Sequence, residues 1–163
     1  MYWQCLSNGT TYFEERVEKY LSLFQLSDRA DELIESYSHG MKQKINLCSA
    51  FIHQPDVLFL DEPTVGLDPK AAKTLKNLLQ SLCRQGMTVF MTTHILEIAE
   101  QMCDRVGIIQ NGDIIAIGTM DDLRQQEGKS HSSLEDIFLE LTGDIDMLPI
   151  IQELEEDDEQ VIK

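Results

Sequence analysis

The apolar positions along the chain follow two rhythms. Val57-Leu58-Phe59-Leu60 is an unbroken apolar run, followed at once by Asp61, Glu62 and Pro63. Such a run predicts a strand buried on both faces, ended by a proline that cannot donate to a ladder. Met87–Thr93 repeats the pattern and leads directly into His94. The stretches around these strands repeat every three or four residues instead. Phe13, Val17, Tyr20, Leu21 and Phe24 make one helical stripe, and a short second helix starting near Asp28 is expected to carry Ala30, Leu33 and Ile34. Ser38 is placed to cap a further helix reaching about His53, with Ile45, Leu47, Cys48, Ala50, Phe51 and Ile52 as its apolar cover. Residues 70–85 predict a helix with Ala72, Leu75, Leu78, Leu79 and Leu82 on one face, begun by Pro69 and stopped by Gln85-Gly86. A helix between the two strands makes them parallel, which puts His94 on the same rim as Glu62.

Beyond His94 the pattern predicts a helix over 95–103. Two apolar runs, 105–109 and 114–117, then flank Asn111-Gly112-Asp113, a strong hairpin signal. Thr119 and Asp122 have capping-box spacing and open a short helix, Met120–Gln126. Residues 127–132 read as a polar linker. Ser133 then caps Leu134–Leu141, and Gly143 ends that helix. The first dozen residues give no clear element beyond the turn cluster Ser7-Asn8-Gly9-Thr10, and no internal repeat is present.

At 163 residues, 42% hydrophobic and 26% charged, the chain has the length and make-up of one domain with a real core. Its formal net charge of −16 argues against a general nucleic-acid surface, which needs a basic patch. Part of that charge is a terminal run, Glu153 to Glu159, expected to be a solvated, disordered end. Cys5, Cys48, Cys83 and Cys103 are scattered without a CxxC, as expected of reduced, mostly buried thiols in a cytosolic protein. No apolar run approaches the roughly 18 residues of a membrane span. Any membrane association is therefore expected to come through a partner.

Acids at the carboxyl end of a buried strand sit where open α/β sheets bind their ligands. If strand geometry persists through them, Asp61 and Glu62 point opposite ways. One could then hold a metal or its water shell while the other faces a reacting water, a division that suits phosphoryl transfer. Ser38 and Gly40 stand at a helix N-terminus, where free N–H groups and the helix dipole favour an anion. Each feature also has a plain structural reading: acids and proline often end strands, serine often caps a helix, and a lone histidine is usually structural. Their order along the chain gives them weight.

In that order the residues resemble the C-terminal part of an ABC transporter ATP-binding subunit, over about residues 13 to 143. Ser38-His39-Gly40-Met41-Lys42-Gln43 is similar to the signature motif, Val57–Glu62 to Walker B with its adjacent glutamate, Gly66-Leu67-Asp68 to the D-loop and His94 to the switch histidine. The resemblance implies an α/β fold: an incomplete P-loop NTPase core with a mostly parallel sheet, a helical subdomain portion and a C-terminal β-hairpin. It divides the chain into a helical portion with the signature (1–54), an α/β catalytic portion (55–126), a C-terminal helix (127–143) and the acidic tail (144–163). The implied cofactors are ATP and Mg²⁺. Asp61 would support Mg²⁺, Glu62 would be the general base or water-orienting carboxylate, and His94 would contact the γ-phosphate. Asp68 would lie at a dimer seam. Ser38 and Gly40 would meet the γ-phosphate of ATP held by an opposing domain, because these domains pair head to tail. The implied partners are a membrane subunit and a second nucleotide-binding domain, with a cytoplasmic location at the inner face of the membrane.

The chain also departs from the pattern. His39 and Met41 stand where the usual signature has Gly and Gln. With the ending Leu134–Thr142, this resembles the bacterial export-type branch whose ATPases pair with separate membrane subunits. No GxxxxGK[ST] occurs anywhere, so no loop of that kind is available to cradle phosphates. The chain therefore reads as a transport ATPase lacking its first half, marginally stable and without ATP hydrolysis on its own. The competing reading is a non-catalytic remnant or binding module that docks to a membrane subunit or to a complete ATPase.

Overall fold

The computed structural model describes residues 9–126 and 132–143. Cys5, most of the polar linker and the acidic tail lie outside them. The chain forms two compact units, one ending at His94 and the other beginning at Ile95.

In the first unit, α1 (Gly9–Leu23) and α2 (His39–Ile52) pack along each other. Phe24, Leu47, Cys48 and Phe51 are buried between these elements, and Tyr20 stacks on Phe51 with ring centroids 5.8 Å apart. Arg16 Nη2 and Cys48 Sγ donate across the pair, to Phe51 O at 3.3 Å and Tyr20 O at 3.5 Å. Burial pushes the Cys48 thiol up to about 12. The short helix expected near Asp28 is instead two 3₁₀ turns, Ser27–Arg29 and Ile34–Ser36. Leu33 lies between them in extended conformation, which interrupts the ladder, and both Leu33 and Ile34 face solvent. The segment is tied down by Tyr37, whose hydroxyl donates to Arg29 O at 2.6 Å.

β1 (Val57–Asp61), α3 (Pro69–Arg84) and β2 (Thr88–Thr92) complete the unit. The strands are parallel, as a helical crossover requires, with Phe59 opposite Phe90 and Asp61 opposite Thr92. α3 buries Ala71, Leu75 and Leu79 and packs against β2. The expectation of strands buried on both faces is not met. Leu58 is buried, whereas Phe59 is 74% and Phe90 56% exposed. Among the described residues the sheet has two strands, and the face carrying Val57, Phe59 and Phe90 is open. The expectation of mostly buried thiols also fails in part. Cys48 is buried and Cys103 half-buried, but Cys83, in the last turn of α3, is exposed.

The second unit holds α4 (Leu96–Met102), the hairpin β3 (Val106–Gln110) and β4 (Asp113–Gly118), α5 (Met120–Gln126) and α6 (Leu134–Thr142). Asn111 and Gly112 turn the hairpin with φ of 53° and 91°, as a tight two-residue turn demands. Ala99, Ile108, Ala116, Leu123, Leu134 and Ile137 form its core. Glu100 joins three elements: Oε1 accepts from Arg124 Nη2 at 2.9 Å, and Oε2 accepts from the Leu134 N–H at 3.2 Å. The capping box read from the sequence at Thr119 and Asp122 is present, and Ser133, read as a cap, forms a second box with Asp136. Among the described residues no helix is long and apolar enough to cross a membrane.

Candidate functional site

The rim predicted at the carboxyl ends of the two strands forms. Asp61 closes β1 opposite Thr92, which closes β2, and the Thr92 hydroxyl donates to Asp61 Oδ1. The ladder runs one residue further, with the Glu62 N–H donating to Thr92 O at 3.1 Å. There the chain leaves strand geometry, because Glu62 sits at φ 45°, a left-handed conformation that residues with a Cβ seldom adopt. The expected opposed pair of carboxylates therefore gives way to a different arrangement. Asp61 remains on the open sheet face, and Glu62 is turned toward His94.

His94 closes on that carboxylate twice. Its backbone N–H donates to Glu62 Oε1 at 2.9 Å, and ring Nδ1 lies 2.7 Å from the same oxygen. The His94 side-chain hydrogen bond, ahead of its charge and backbone N–H, holds the Glu62 carboxyl below its usual range. An ionised carboxylate only accepts, so the proton of this contact belongs to Nδ1. The rest of the ring is 74% exposed, and Glu62 remains about a third exposed.

Ser38, Gly40 and Asp68 form a second cluster, built as helix ends. Ser38 Oγ accepts from the Met41 N–H at 3.3 Å and caps α2. Asp68 Oδ1 accepts from the Ala71 N–H at 2.9 Å and caps α3, while Oδ2 pairs with Lys44 Nζ at 2.8 Å. The Lys44 contact and then the Ala71 N–H hold the Asp68 carboxyl below its usual range. Gly40 has a reason to be glycine inside the fold: a Cβ there would lie 2.6 Å from the Gly66 carbonyl oxygen. Gly66 stands at φ 78°, and a Cβ on it would meet the His39 ring at 2.6 Å. Gln43 Nε2 donates to Pro63 O at 3.3 Å. The start of α2 is thus fastened to the 63–68 loop, and that loop leads from Glu62 to Asp68.

Thr92, Lys44, Gln43 and the His39–Gly66 packing were not anticipated. Thr92 could have been found by pairing the strands end to end, which places it beside Asp61. The Lys44 pairing carries no local signal, since its partner is 24 residues away.

The oxygens of Asp61 and Thr92 are hard donors. Among the described residues, no group of three or more acidic, histidine or cysteine side chains could hold a metal alone. This donor set fits Mg²⁺, which is commonly held by one or two carboxylates together with waters and phosphate oxygens. The site is a rim rather than a pocket: a shallow groove on α1, lined by Tyr12, Arg16, Tyr20 and Gln54, contains none of these groups.

Residues 8–100 match a family described as AAA domain, putative AbiEii toxin, Type IV TA system. The linearmycin resistance ATP-binding protein LnrL of Bacillus subtilis is 43% identical over 74% of this chain and 39% of its own length. The ABC-type transporter ATP-binding protein EcsA of the same organism is 39% identical over 79% of this chain and 52% of its own. A solved structure of an ATP-binding subunit of an ABC transporter aligns with a TM-score of 0.79 at 36% identity, over 83% of this chain and 57% of that one. The chain spans about half the length, or less, of the relatives it matches.

Proposed function

Because this chain belongs to the AAA-domain family that its residues 8–100 match and is homologous over most of its length to ATP-binding subunits of ABC transporters, we propose that it supplies the hydrolytic rim and the signature segment of a transport ATPase. The observation that carries the reading is the double closure of His94 on Glu62, at 2.9 and 2.7 Å, beside Asp61 at the ends of two parallel strands.

Glu62 is the group that orients, and accepts a proton from, the attacking water. Its depressed pKa keeps it an acceptor at neutral pH. His94 fixes the direction of that carboxylate. With Nδ1–H committed to Glu62, ring Nε2 donates to a phosphate oxygen only as imidazolium. Asp61, steadied by Thr92, is the carboxylate that would hold Mg²⁺, which when bound neutralises developing phosphate charge. Ser38 and Gly40 present the N-terminus of α2 to ATP on an opposing domain, and Asp68 sits at the seam of that pairing. The linearmycin-resistance role named for one relative supports an export-type transporter, and the reading adds a separate membrane subunit with the chain on its cytoplasmic side.

Since the sequence holds no GxxxxGK[ST], the reading places the phosphate-gripping loop on another segment and predicts that the chain alone does not hydrolyse ATP. Joining the part of EcsA outside the matched region to this chain provides the test. The chimera is expected to hydrolyse Mg-ATP, with Glu62→Gln and His94→Ala each lowering the rate at least about 100-fold. A chimera that hydrolyses ATP as fast with Glu62→Gln would overturn the assignment. One that binds ATP without hydrolysing it would favour the non-catalytic docking module.

A further inference from the structure

The loop between Glu62 and Asp68 is short and internally bonded. The Val65 N–H donates to Glu62 O at 3.1 Å and the Leu67 N–H to Thr64 O at 3.2 Å, while Pro63 and Thr64 are buried. α2 holds this loop at three points. At its start, Gln43 Nε2 donates to Pro63 O at 3.3 Å. In its middle, Gly66 lies against Gly40 and the His39 ring, with no room for a Cβ on either glycine. At its end, Lys44 Nζ meets Asp68 Oδ2 at 2.8 Å. Gln43 and Lys44 are neighbours in sequence, yet they secure opposite ends of the loop. The Lys44 side chain is 15% exposed. Its ammonium is thus largely withdrawn from water, which is costly unless a partner holds it, and an ordinary surface ion pair would leave it solvated.

Glu62 needs such support. A non-glycine residue at φ 45° persists there only where its surroundings hold it. On its N-terminal side the ladder fixes the Glu62 N–H on Thr92 O. On its C-terminal side the chain has left the ladder, and Pro63 O is held by Gln43 instead. We propose that Gln43 and Lys44 are positioning residues for the rim: by gripping the loop at Pro63 and Asp68 they keep Glu62 in the conformation that turns its carboxylate to His94. This deepens the transport-ATPase reading and rests on it for what the rim does. Both residues act through the loop rather than on the reacting atoms. Both also stand in the first two turns of α2, so the segment that carries Ser38 and Gly40 keeps a fixed spacing from the rim.

The readout is the His94 ring in the full chain, without nucleotide. Contact with an ionised Glu62 puts the proton on Nδ1, and a ring released from Glu62 loses that constraint. Long-range proton–nitrogen NMR spectra of the neutral ring, assigned with His94→Ala, show which nitrogen carries the proton. The unmodified chain is expected to carry it on Nδ1. Gln43→Met and Lys44→Met should each lower that population at least about twofold, and Lys44→Arg should keep it. Lys73→Met, at an exposed lysine on α3, should leave it unchanged. Gln43→Met removes one hydrogen bond at near-constant size, so it decides the matter if Lys44→Met fails to fold, as circular dichroism would show. A ring protonated on Nε2 in the unmodified chain overturns the proposal, as does unchanged Nδ1 protonation in either folded Met variant. Loss of the same size in Lys44→Arg or Lys73→Met also overturns it, because it would mark a general loosening of the unit. In the EcsA chimera, Gln43→Met and Lys44→Met should lower kcat at least about tenfold with KM for ATP within about twofold, and Lys44→Arg should stay within about threefold of the unmodified rate. A chimera that loses hydrolysis with Glu62→Gln but not with these variants keeps the function and overturns the positioning role. A chimera without hydrolysis removes the catalytic reading, and the His94 spectra still decide the proposal.

Discussion

Gly66→Ala tests how the loop between the rim and α3 is held. Two separate costs meet at this residue. Its φ of 78° is a conformation that a Cβ disfavours by roughly 1–2 kcal/mol. The added carbon would also stand 2.6 Å from His39 Cδ2 and 2.9 Å from Nε2, well inside ordinary contact, and overpacking of that kind costs about 1–3 kcal/mol. His39 is exposed and its ring can swing away, so the lower half of that range applies. The sum is about 2–4 kcal/mol, which at a urea dependence of about 1–3 kcal/mol per molar lowers the unfolding midpoint by on the order of 1–2 M. His39→Ala alone removes an exposed side chain and should stay within about 0.5 kcal/mol of the unmodified chain. In the double variant the steric part disappears while the backbone part remains. The two substitutions should therefore be non-additive by about 1–2 kcal/mol in the relieving direction. Urea titrations of the four proteins at constant slope measure this. A Gly66→Ala midpoint within error of the unmodified chain would show that the loop is free to move off α2. A full cost left untouched by His39→Ala would show that the ring does not set the spacing.

Leu75 is fully buried on α3, and Leu75→Ala should cost about 2–5 kcal/mol, read as a urea midpoint shift at unchanged slope; a cost below 1 kcal/mol would mean that α3 is not seated as described. Glu62, Asp68 and Asp122 all have pKa values lowered in the folded chain. A carboxyl of that kind contributes stability above its unfolded value near 4, and the contribution is lost as pH falls through the folded value. The advantage of the unmodified chain over Asp68→Asn, which can still cap α3, should thus be full at pH 7 and shrink as pH falls below about 4; an advantage that grows on acidification would contradict the Lys44 pairing. Cys83 should react with an aromatic disulfide at least about tenfold faster than Cys48, whose thiol is buried and pushed up to about 12, as mass spectrometry of partially labelled chain would show.

The local sequence carried most of the elements and the rim. Ser38 and Ser133 each announced a helix start, and each accepts the N–H expected of a cap, while Asp68, read only at the D-loop, caps α3 as well. A crossover helix between two apolar runs was enough to put His94 beside Glu62. Conformations set by single residues were less legible. Nothing in Asp61-Glu62-Pro63 says that Glu62 will turn left-handed, because that depends on where His94 waits to receive its carboxylate, 32 residues on. Residues 28–36 contain enough apolar positions for a helix, but Leu33 breaks the turn, and neither 3₁₀ turn contains a buried residue.

The strands were misread for a more instructive reason. An unbroken Val-Leu-Phe-Leu run is what a strand covered on both sides requires, and in β1 only one side is covered among the described residues. Fully burying a phenylalanine side chain is worth about 1.5–3 kcal/mol. Phe59 and Phe90 keep more than half of their surface in water, so covering both would stabilise the unit by roughly 2–4 kcal/mol, a large share of the 5–15 kcal/mol typical of a whole domain. The composition of these strands is therefore matched to more structure than the described residues provide. Joining the unmatched part of EcsA should raise the unfolding midpoint as well as supply a phosphate loop. The stability gain should disappear in a Phe59→Glu, Phe90→Glu chimera even if the loop itself still binds ATP. If the gain survives both substitutions, the open face is an ordinary solvent-exposed surface, and the marginal stability expected of the isolated chain has another origin.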